Sequence, residues 1–123
     1  MHIQESGQMY LESIYVLSQT QSVVRAIDVS EYMGFSKPSV SRALGILRKN
    51  GFLTTNENGH LQLTEAGLSM AQNIYERHTT LKRLLIAMGV SEQVAAEDAC
   101  KIEHDISEET FLVIKSYLAK QNM

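Results

Sequence analysis

The segment 26–51 constrains the fold most, because a helix stop and a helix start lie within a few residues of each other. A first helix is predicted over Ala26–Met33 and ends at Gly34, since glycine readily adopts the left-handed backbone found at helix ends. Ser36 is a good N-cap for a second helix, and Pro38 fits its first turn, where a missing N–H costs nothing. That second helix has an apolar stripe at helical spacing, formed by Val40, Ala43, Leu44 and Leu47.

A β-hairpin is predicted directly after these two helices. Phe52–Thr55 and His60–Leu63 are short β-compatible runs, and Asn58-Gly59 between them supplies the positive-φ positions of a tight turn. Helix, turn, helix and hairpin in this order are typical of a winged helix-turn-helix.

Helices are predicted for the rest of the chain. Apolar residues recur near helical spacing over residues 5–20. Thr64 and Ser91 are N-caps for helices over about 65–87 and 92–104, and Ser107 is the N-cap of a last helix that runs to about residue 120. The predicted fold class is therefore mainly α: an N-terminal winged helix-turn-helix domain over residues 1–64, followed by a helical domain over residues 65–123.

Charge is distributed unevenly along the chain. The net charge of -3 alone argues against nucleic-acid binding. However, Ser36–Asn50 contains four basic residues and no acidic one, whereas Glu92–Glu109 contains seven carboxylates and one lysine. This pattern indicates that one part of the chain meets phosphate and another meets cations.

The predicted second helix has a polar face opposite its apolar stripe. Hydroxyls and cations bond phosphate oxygens and base edges, and Pro38 with Ser39 can contact a thymine methyl. A solvated surface helix is the alternative interpretation, but the order of the surrounding elements favours DNA. The predicted DNA-binding residues are Arg25, Ser36, Lys37, Pro38, Ser39, Ser41, Arg42 and Arg48, with His60 and Asn56 as secondary candidates.

The stretch DACKIEHDIS, residues 98–107, contains the only cysteine of the chain. On a helix, residues i, i+3 and i+4 share a face, so Cys100, Glu103 and His104 can point at a common centre. Thiolate, carboxylate and imidazole together suit Fe(II), Co(II), Ni(II) or Zn(II) better than Mg²⁺ or Ca²⁺. Three ligands from one helix do not close a site.

The remaining ligands must come from elsewhere in the chain. The candidates are His78 and the i, i+3 pair Met9 and Glu12. Each has a plainer interpretation, because a methionine on an apolar stripe is usually core and a lone cysteine is usually a small buried hydrophobe. The residue pattern alone leaves a metal site and a coincidence of polar groups both open.

Five stretches resemble the family of metal-dependent repressors typified by the diphtheria toxin repressor and the manganese transport regulator. They occur in order and are spread along the chain from residue 9 to residue 107: MYLESIYVL (9–17), DVSEYMGFSKPSVSRALGILRKNGFL (28–53), LQLTEAG (61–67), RHTTLKRLL (77–85) and ACKIEHDIS (99–107). The resemblance implies a homodimeric transcriptional repressor of metal homeostasis genes that binds a pseudo-palindromic DNA operator. It also implies the two-domain form, in which the helical domain dimerises and no SH3-like domain follows.

The resemblance also implies a set of metal ligands, drawn from the first helix and from the dimerisation helices, so that metal ties the two parts together. The iron-type primary site matches Met9, Cys100, Glu103 and His104. His78 matches a histidine used by the iron and manganese types, and Glu12 matches a carboxylate used by the manganese type.

Departures from the family pattern bear on the choice of metal. Met9 and Cys100 stand where the manganese type has aspartate and glutamate, which favours Fe(II) over Mn(II) and allows Co(II), Ni(II) or Zn(II) in vitro. Lys82 and Ala96 stand where the iron type completes an ancillary site, so that second site is not expected to be intact. A different second site, formed by Glu12, His78 and Glu103, stays open.

Other functions and locations receive less support. One alternative is a winged-helix repressor that responds to oxidation of Cys100 or to a small organic ligand. A metal hydrolase with Glu103 as base is disfavoured because no H-E-x-x-H motif is present, and we expect no enzyme. A single cysteine, no secretion signal and no apolar run near the roughly 20 residues of a membrane span together predict a cytoplasmic protein.

Overall fold

The computed structural model describes residues 5–121. Their elements are α1 (Glu5–Thr20), α2 (Ala26–Met33), α3 (Lys37–Lys49), β1 (Leu53–Thr55), β2 (Leu61–Leu63), α4 (Glu65–Ala87), α5 (Glu92–Ile102) and α6 (Glu108–Gln121). The chain divides into two compact units within α4, between Gln72 and Asn73. The predicted fold class, mainly α with an N-terminal winged helix-turn-helix, is confirmed. The domain limits 1–64 and 65–123 stay a prediction.

The turn between α2 and α3 forms as the sequence predicts. Gly34 has a φ of 73°, and its N–H donates to the carbonyl of Ser30 at 2.9 Å. The Ser36 hydroxyl caps α3 by accepting the N–H of Ser39 at 3.3 Å. Inside the turn, the Ser30 hydroxyl donates to the carbonyl of Phe35 at 2.6 Å. Local hydrogen bonds therefore hold the turn and fix the direction in which α3 leaves it.

The wing is an antiparallel pair of β1 and β2, but its loop differs from the predicted Asn-Gly turn. Gly59 has a φ of 79°, whereas no non-glycine residue of the described chain has a positive φ. Instead, Oδ1 of Asn56 accepts the backbone N–H groups of Asn58 at 2.9 Å and His60 at 3.0 Å. The prediction of two positive-φ positions was wrong because an Asx-type turn organises this loop.

The first unit has one apolar core. The predicted stripe of α3 is buried at Val40, Leu44 and Leu47. In the wing, Leu53 is buried and lies opposite Leu63 in the strand register. The rest of this core comes from α1, α2, β2 and the connecting segments, and includes Leu11, Ile14, Val24, Val29, Phe52 and Leu61.

The second unit contains the remainder of α4 together with α5 and α6. The predicted caps are present: Ser91 accepts the N–H of Val94 at 3.4 Å, and Ser107 accepts the N–H of Thr110 at 3.1 Å. Its buried apolar residues are Ile74, Leu81, Ala95, Ala99, Phe111 and Leu118. Within residues 5–121, the helices are too short or too polar to cross a membrane.

Gly67, in the first turn of α4, packs directly on backbone. A Cβ at this position would collide with the carbonyl oxygen of Phe52. We therefore expect Gly67→Ala to lower the free energy of unfolding by about 1–3 kcal/mol, as overpacking of a tight contact does. Denaturant unfolding of the purified variant measures this change.

Gly45 in α3 provides the matched control. A Cβ there meets nothing within 4 Å, so Gly45→Ala is expected to raise the free energy of unfolding by about 0.5–1 kcal/mol. Equal effects of the two substitutions would show that the contact with Phe52 does not constrain Gly67.

Candidate metal centre and nucleic-acid interface

The side chain of Glu103 is fully buried, at 0% exposure, and lies between two imidazoles. Its Oε2 is 3.1 Å from Nδ1 of His78, which comes from α4. Its Oε1 is 3.4 Å from Nε2 of His104, whose side chain is 2% exposed. Three potential metal donors from two segments of the second unit are therefore adjacent.

The chemistry of this cluster fits a divalent metal. A buried carboxylate is costly unless a cation or hydrogen-bond donors compensate its charge. The Oε1 atom of Glu103 accepts no hydrogen bond from residues 5–121, although Nε2 of His104 is within ion-pair distance. Imidazole nitrogen and carboxylate oxygen are ligands that Fe, Mn, Co and Zn share. The cluster of His78, Glu103 and His104 thus has the composition of a transition-metal site.

The helix before the cluster is shorter than predicted. We predicted a helix over residues 92–104, but α5 ends at Ile102, and Glu103 and His104 lie in the turn that follows. The carbonyl of Glu103 accepts a hydrogen bond from Nη1 of Arg77 at 3.2 Å. This carbonyl, just after the end of α5, is therefore bonded by a side chain of α4. The prediction missed Arg77, since periodicity does not reveal which backbone carbonyl a distant arginine reaches.

The other predicted ligands lie on helices. Cys100 is half-buried on α5, three residues before Glu103. Met9 and Glu12 are half-buried on α1 and are three residues apart, which places them on one face of that helix. Their role in metal binding stays a prediction.

The two positions that depart from the iron-type ancillary site are both in the second unit. Lys82 forms an ion pair with Glu92, with Nζ 3.7 Å from Oε1. Ala96 is half-buried on α5 and has no donor atom in its side chain. An ammonium group and a methyl group therefore occupy the two positions at which the resemblance implies ligands of that second site.

All eight predicted DNA-binding residues are exposed in the first unit. The N-terminal half of α3 presents hydroxyls and cations on the side opposite its buried stripe, and its first turn has no acidic residue. Ser36 donates its hydroxyl hydrogen to the Ser39 hydroxyl at 2.9 Å, so two hydroxyls lie together at the start of this helix. An exposed, basic helix end of this kind suits phosphate and base-edge contacts.

Two of the predicted cations are hydrogen-bonded to the wing. Nη2 of Arg25 lies 3.1 Å from Nε2 of His60. Nε of Arg48 donates to the hydroxyl of Thr55 at 3.2 Å. The secondary candidate Asn56 uses its side-chain oxygen to close the wing loop. The wing therefore contributes directly to the arrangement of the basic surface.

Two descriptions of one protein family match this chain. The family described as iron dependent repressor, N-terminal DNA binding domain, matches residues 2–61. The companion description, iron dependent repressor, metal binding and dimerisation domain, matches residues 64–122. Together the two matches span nearly the whole chain.

Individual relatives point the same way. The transcriptional regulator MntR of Escherichia coli is 31% identical over 119 residues, covering 97% of this chain and 77% of that protein. The iron-dependent repressor IdeR of Mycobacterium leprae is 30% identical over 106 residues, covering 85% and 46%. The crystal structure of the metal-dependent transcriptional regulator MtsR has the same fold, with a TM-score of 0.85 at 23% identity, covering 92% and 53%. This chain belongs to the iron-dependent repressor family of metal-dependent, DNA-binding transcriptional regulators.

Proposed function

We propose that this protein represses metal homeostasis genes by binding a DNA operator when it holds a divalent metal, Fe(II) in preference to Mn(II). The observation that carries the proposal is the fully buried Glu103 carboxylate between His78 and His104. The family match and the iron-dependent repressor IdeR among its relatives support a metal-responsive regulator. Because the proposed target is DNA, we place the protein in the cytoplasm.

The ligands proposed for the metal are His78, Glu103 and His104, with Met9, Glu12 and Cys100 as the further donors. When bound, the ion supplies the positive charge that compensates the buried carboxylate. Imidazole and thiol groups must give up a proton to donate to a metal, so metal affinity is expected to fall at low pH.

Metal and DNA binding are proposed to be coupled. If metal occupancy raises operator affinity, the operator must raise metal affinity by the same factor, typically about 5- to 150-fold. As a homodimer, the protein would place two copies of α3 on the two half-sites of a pseudo-palindromic operator.

The direct test is operator binding titrated anaerobically with Fe(II) and, in parallel, with Mn(II), Co(II) and Zn(II). The operator is first selected from random duplexes in the presence of Co(II). We expect DNA affinity to rise with metal concentration. The rise should occur at a lower free concentration of Fe(II) than of Mn(II). Metal-independent DNA binding overturns the proposal, and a response to peroxide without metal supports oxidation of Cys100 instead.

The preference for Fe(II) is tested by Cys100→Ser, which removes the soft thiolate with little change in size. Soft ligands favour Fe(II), Co(II) and Zn(II) over Mn(II). We expect Cys100→Ser to weaken binding of those three ions by about tenfold or more, a typical loss when a metal site loses a supporting group. Binding of Mn(II) should change less, as measured by chelator competition. Equal losses for all four ions would remove the basis for the preference.

A further inference from the structure

Arg77 lies beside the proposed metal centre and holds the turn that carries two of its ligands. Its Nη1 donates to the carbonyl of Glu103 at 3.2 Å and to the carbonyl of Ile106 at 2.9 Å. These two carbonyls mark the two ends of the turn between α5 and α6. One guanidinium nitrogen therefore bridges the turn and fixes its backbone.

The chain position of Arg77 links this bridge to the third ligand. Arg77 directly precedes His78 on α4, so one helical turn supplies both the imidazole that meets the Glu103 carboxylate and the guanidinium that holds the Glu103 backbone. Any shift of the turn relative to α4 must disturb the bonds from Arg77. The separation between His78 and Glu103 is therefore set from the backbone as well as from the side chains.

Other contacts hold the guanidinium in place. Its Nη2 forms an ion pair with Oε1 of Glu108 at 3.6 Å, and its Cζ lies 5.3 Å from the ring centroid of Phe111. The Nε–H of Arg77 is buried and donates to no acceptor within residues 5–121. An apolar side chain of similar length would avoid this unfavourable burial. What arginine adds at this position is the pair of bonds to the turn carbonyls.

We propose that Arg77 is a positioning residue that sets the metal affinity of the site by holding the turn that carries Glu103 and His104. This inference rests on the proposed function, because it assumes that these residues bind metal. Simple electrostatics predicts the opposite effect: removing a nearby positive charge would strengthen the binding of a cation. The sign of the change therefore separates positioning from charge.

The test compares Arg77→Met with the wild-type full-length protein, using Co(II) as the probe. Methionine keeps the length and apolar contacts of the side chain but has no N–H donors. We expect Co(II) affinity to fall by about 10- to 100-fold, as it does when a group that orients a metal ligand is lost. The visible absorption bands of bound Co(II) should also change, because the ligands are held differently. Unchanged or increased affinity overturns the proposal.

Lys115→Met is the matched control. The Lys115 ammonium bonds the Glu76 carboxylate at 2.8 Å, so this pair also joins α6 to α4, one residue before Arg77. Unlike Arg77, this pair does not involve the carbonyls of Glu103 and Ile106. We expect its Co(II) affinity and spectrum to match those of the wild type. If Lys115→Met weakens Co(II) binding as much as Arg77→Met does, the role of Arg77 is general helix packing, and the proposal is wrong.

Two further variants keep the result decisive. Arg77→Lys retains the charge and offers a single ammonium in place of the planar guanidinium. The Co(II) affinity of this variant should therefore lie between those of the wild type and Arg77→Met. If Arg77→Met does not fold, wild-type affinity in Arg77→Lys overturns the proposal and reduced affinity supports it.

His104→Ala tests the centre itself. Wild-type Co(II) binding by His104→Ala contradicts the proposed function, whereas its loss alongside normal binding by Arg77→Met contradicts only the role of Arg77.

Discussion

Replacing Glu103 with glutamine is expected to lower the affinity for Fe(II), Co(II) and Mn(II) by at least about 100-fold, because loss of one partner of a buried charge pair costs about 3–5 kcal/mol. Glutamine has nearly the same shape as glutamate but no charge. The substitution therefore removes the one carboxylate of the buried cluster formed by His78, Glu103 and His104 in the second unit. The metal-free variant should be at least as stable as the wild type, since it no longer buries a charge. Chelator competition and denaturant unfolding measure the two quantities.

Glu109→Gln is the control for this substitution. Glu109 is exposed in the first turn of α6 and undergoes the same chemical change. Its metal affinity should stay at the wild-type value. If Glu103→Gln also binds metal normally, the carboxylate is not a ligand and the proposed centre is wrong. If metal-free Glu103→Gln is strongly destabilised, the role of Glu103 is structural.

The second large effect is expected from Arg42→Ala, which should weaken operator binding by about 1–3 kcal/mol. Arg42 is exposed on α3, on the side opposite the buried stripe, and this helix contains no acidic residue. If its guanidinium meets a phosphate, the loss should be similar for all sequences and the salt dependence should become shallower. If it reads a base, discrimination at one operator position should relax. Fluorescence anisotropy at several salt concentrations distinguishes the two outcomes.

Lys49→Ala is the control for Arg42→Ala, because it removes one positive charge from the opposite end of the same helix. Lys49 is exposed in the last turn of α3. We expect a smaller loss of DNA affinity, and neither variant should change metal affinity in the absence of DNA. Equal losses would indicate binding through overall charge, and normal binding by Arg42→Ala would place the recognition surface elsewhere.

The helix-turn-helix could be predicted from sequence because its signals are local. Gly34 and Ser36 act through their own backbone and side-chain bonds within a few residues, and the structure has those bonds. The wing loop was predicted less well. Asn58-Gly59 is a common turn pair, but the side chain of Asn56 provides an alternative set of bonds that a dipeptide rule does not consider.

The candidate metal centre could be predicted only in part. Helical spacing predicted Glu103 and His104 as candidate ligands on one helix, yet both residues lie beyond the end of α5. Arg77, 26 residues earlier, bonds the Glu103 carbonyl just after the helix ends. Long-range contacts of this kind depend on packing, which a single sequence does not reveal. The same reason explains why no local pattern pointed to Arg77.

The bonds between the wing and the basic surface have a consequence for the entropy of DNA binding. Immobilising a long side chain at an interface costs about 0.5–1.5 kcal/mol of conformational freedom. Arg25 and Arg48 are already restrained by His60 and Thr55, and each guanidinium keeps further N–H groups for phosphate. Part of the ordering that DNA binding requires has thus occurred during folding, so the wing can favour association even where it does not touch the duplex.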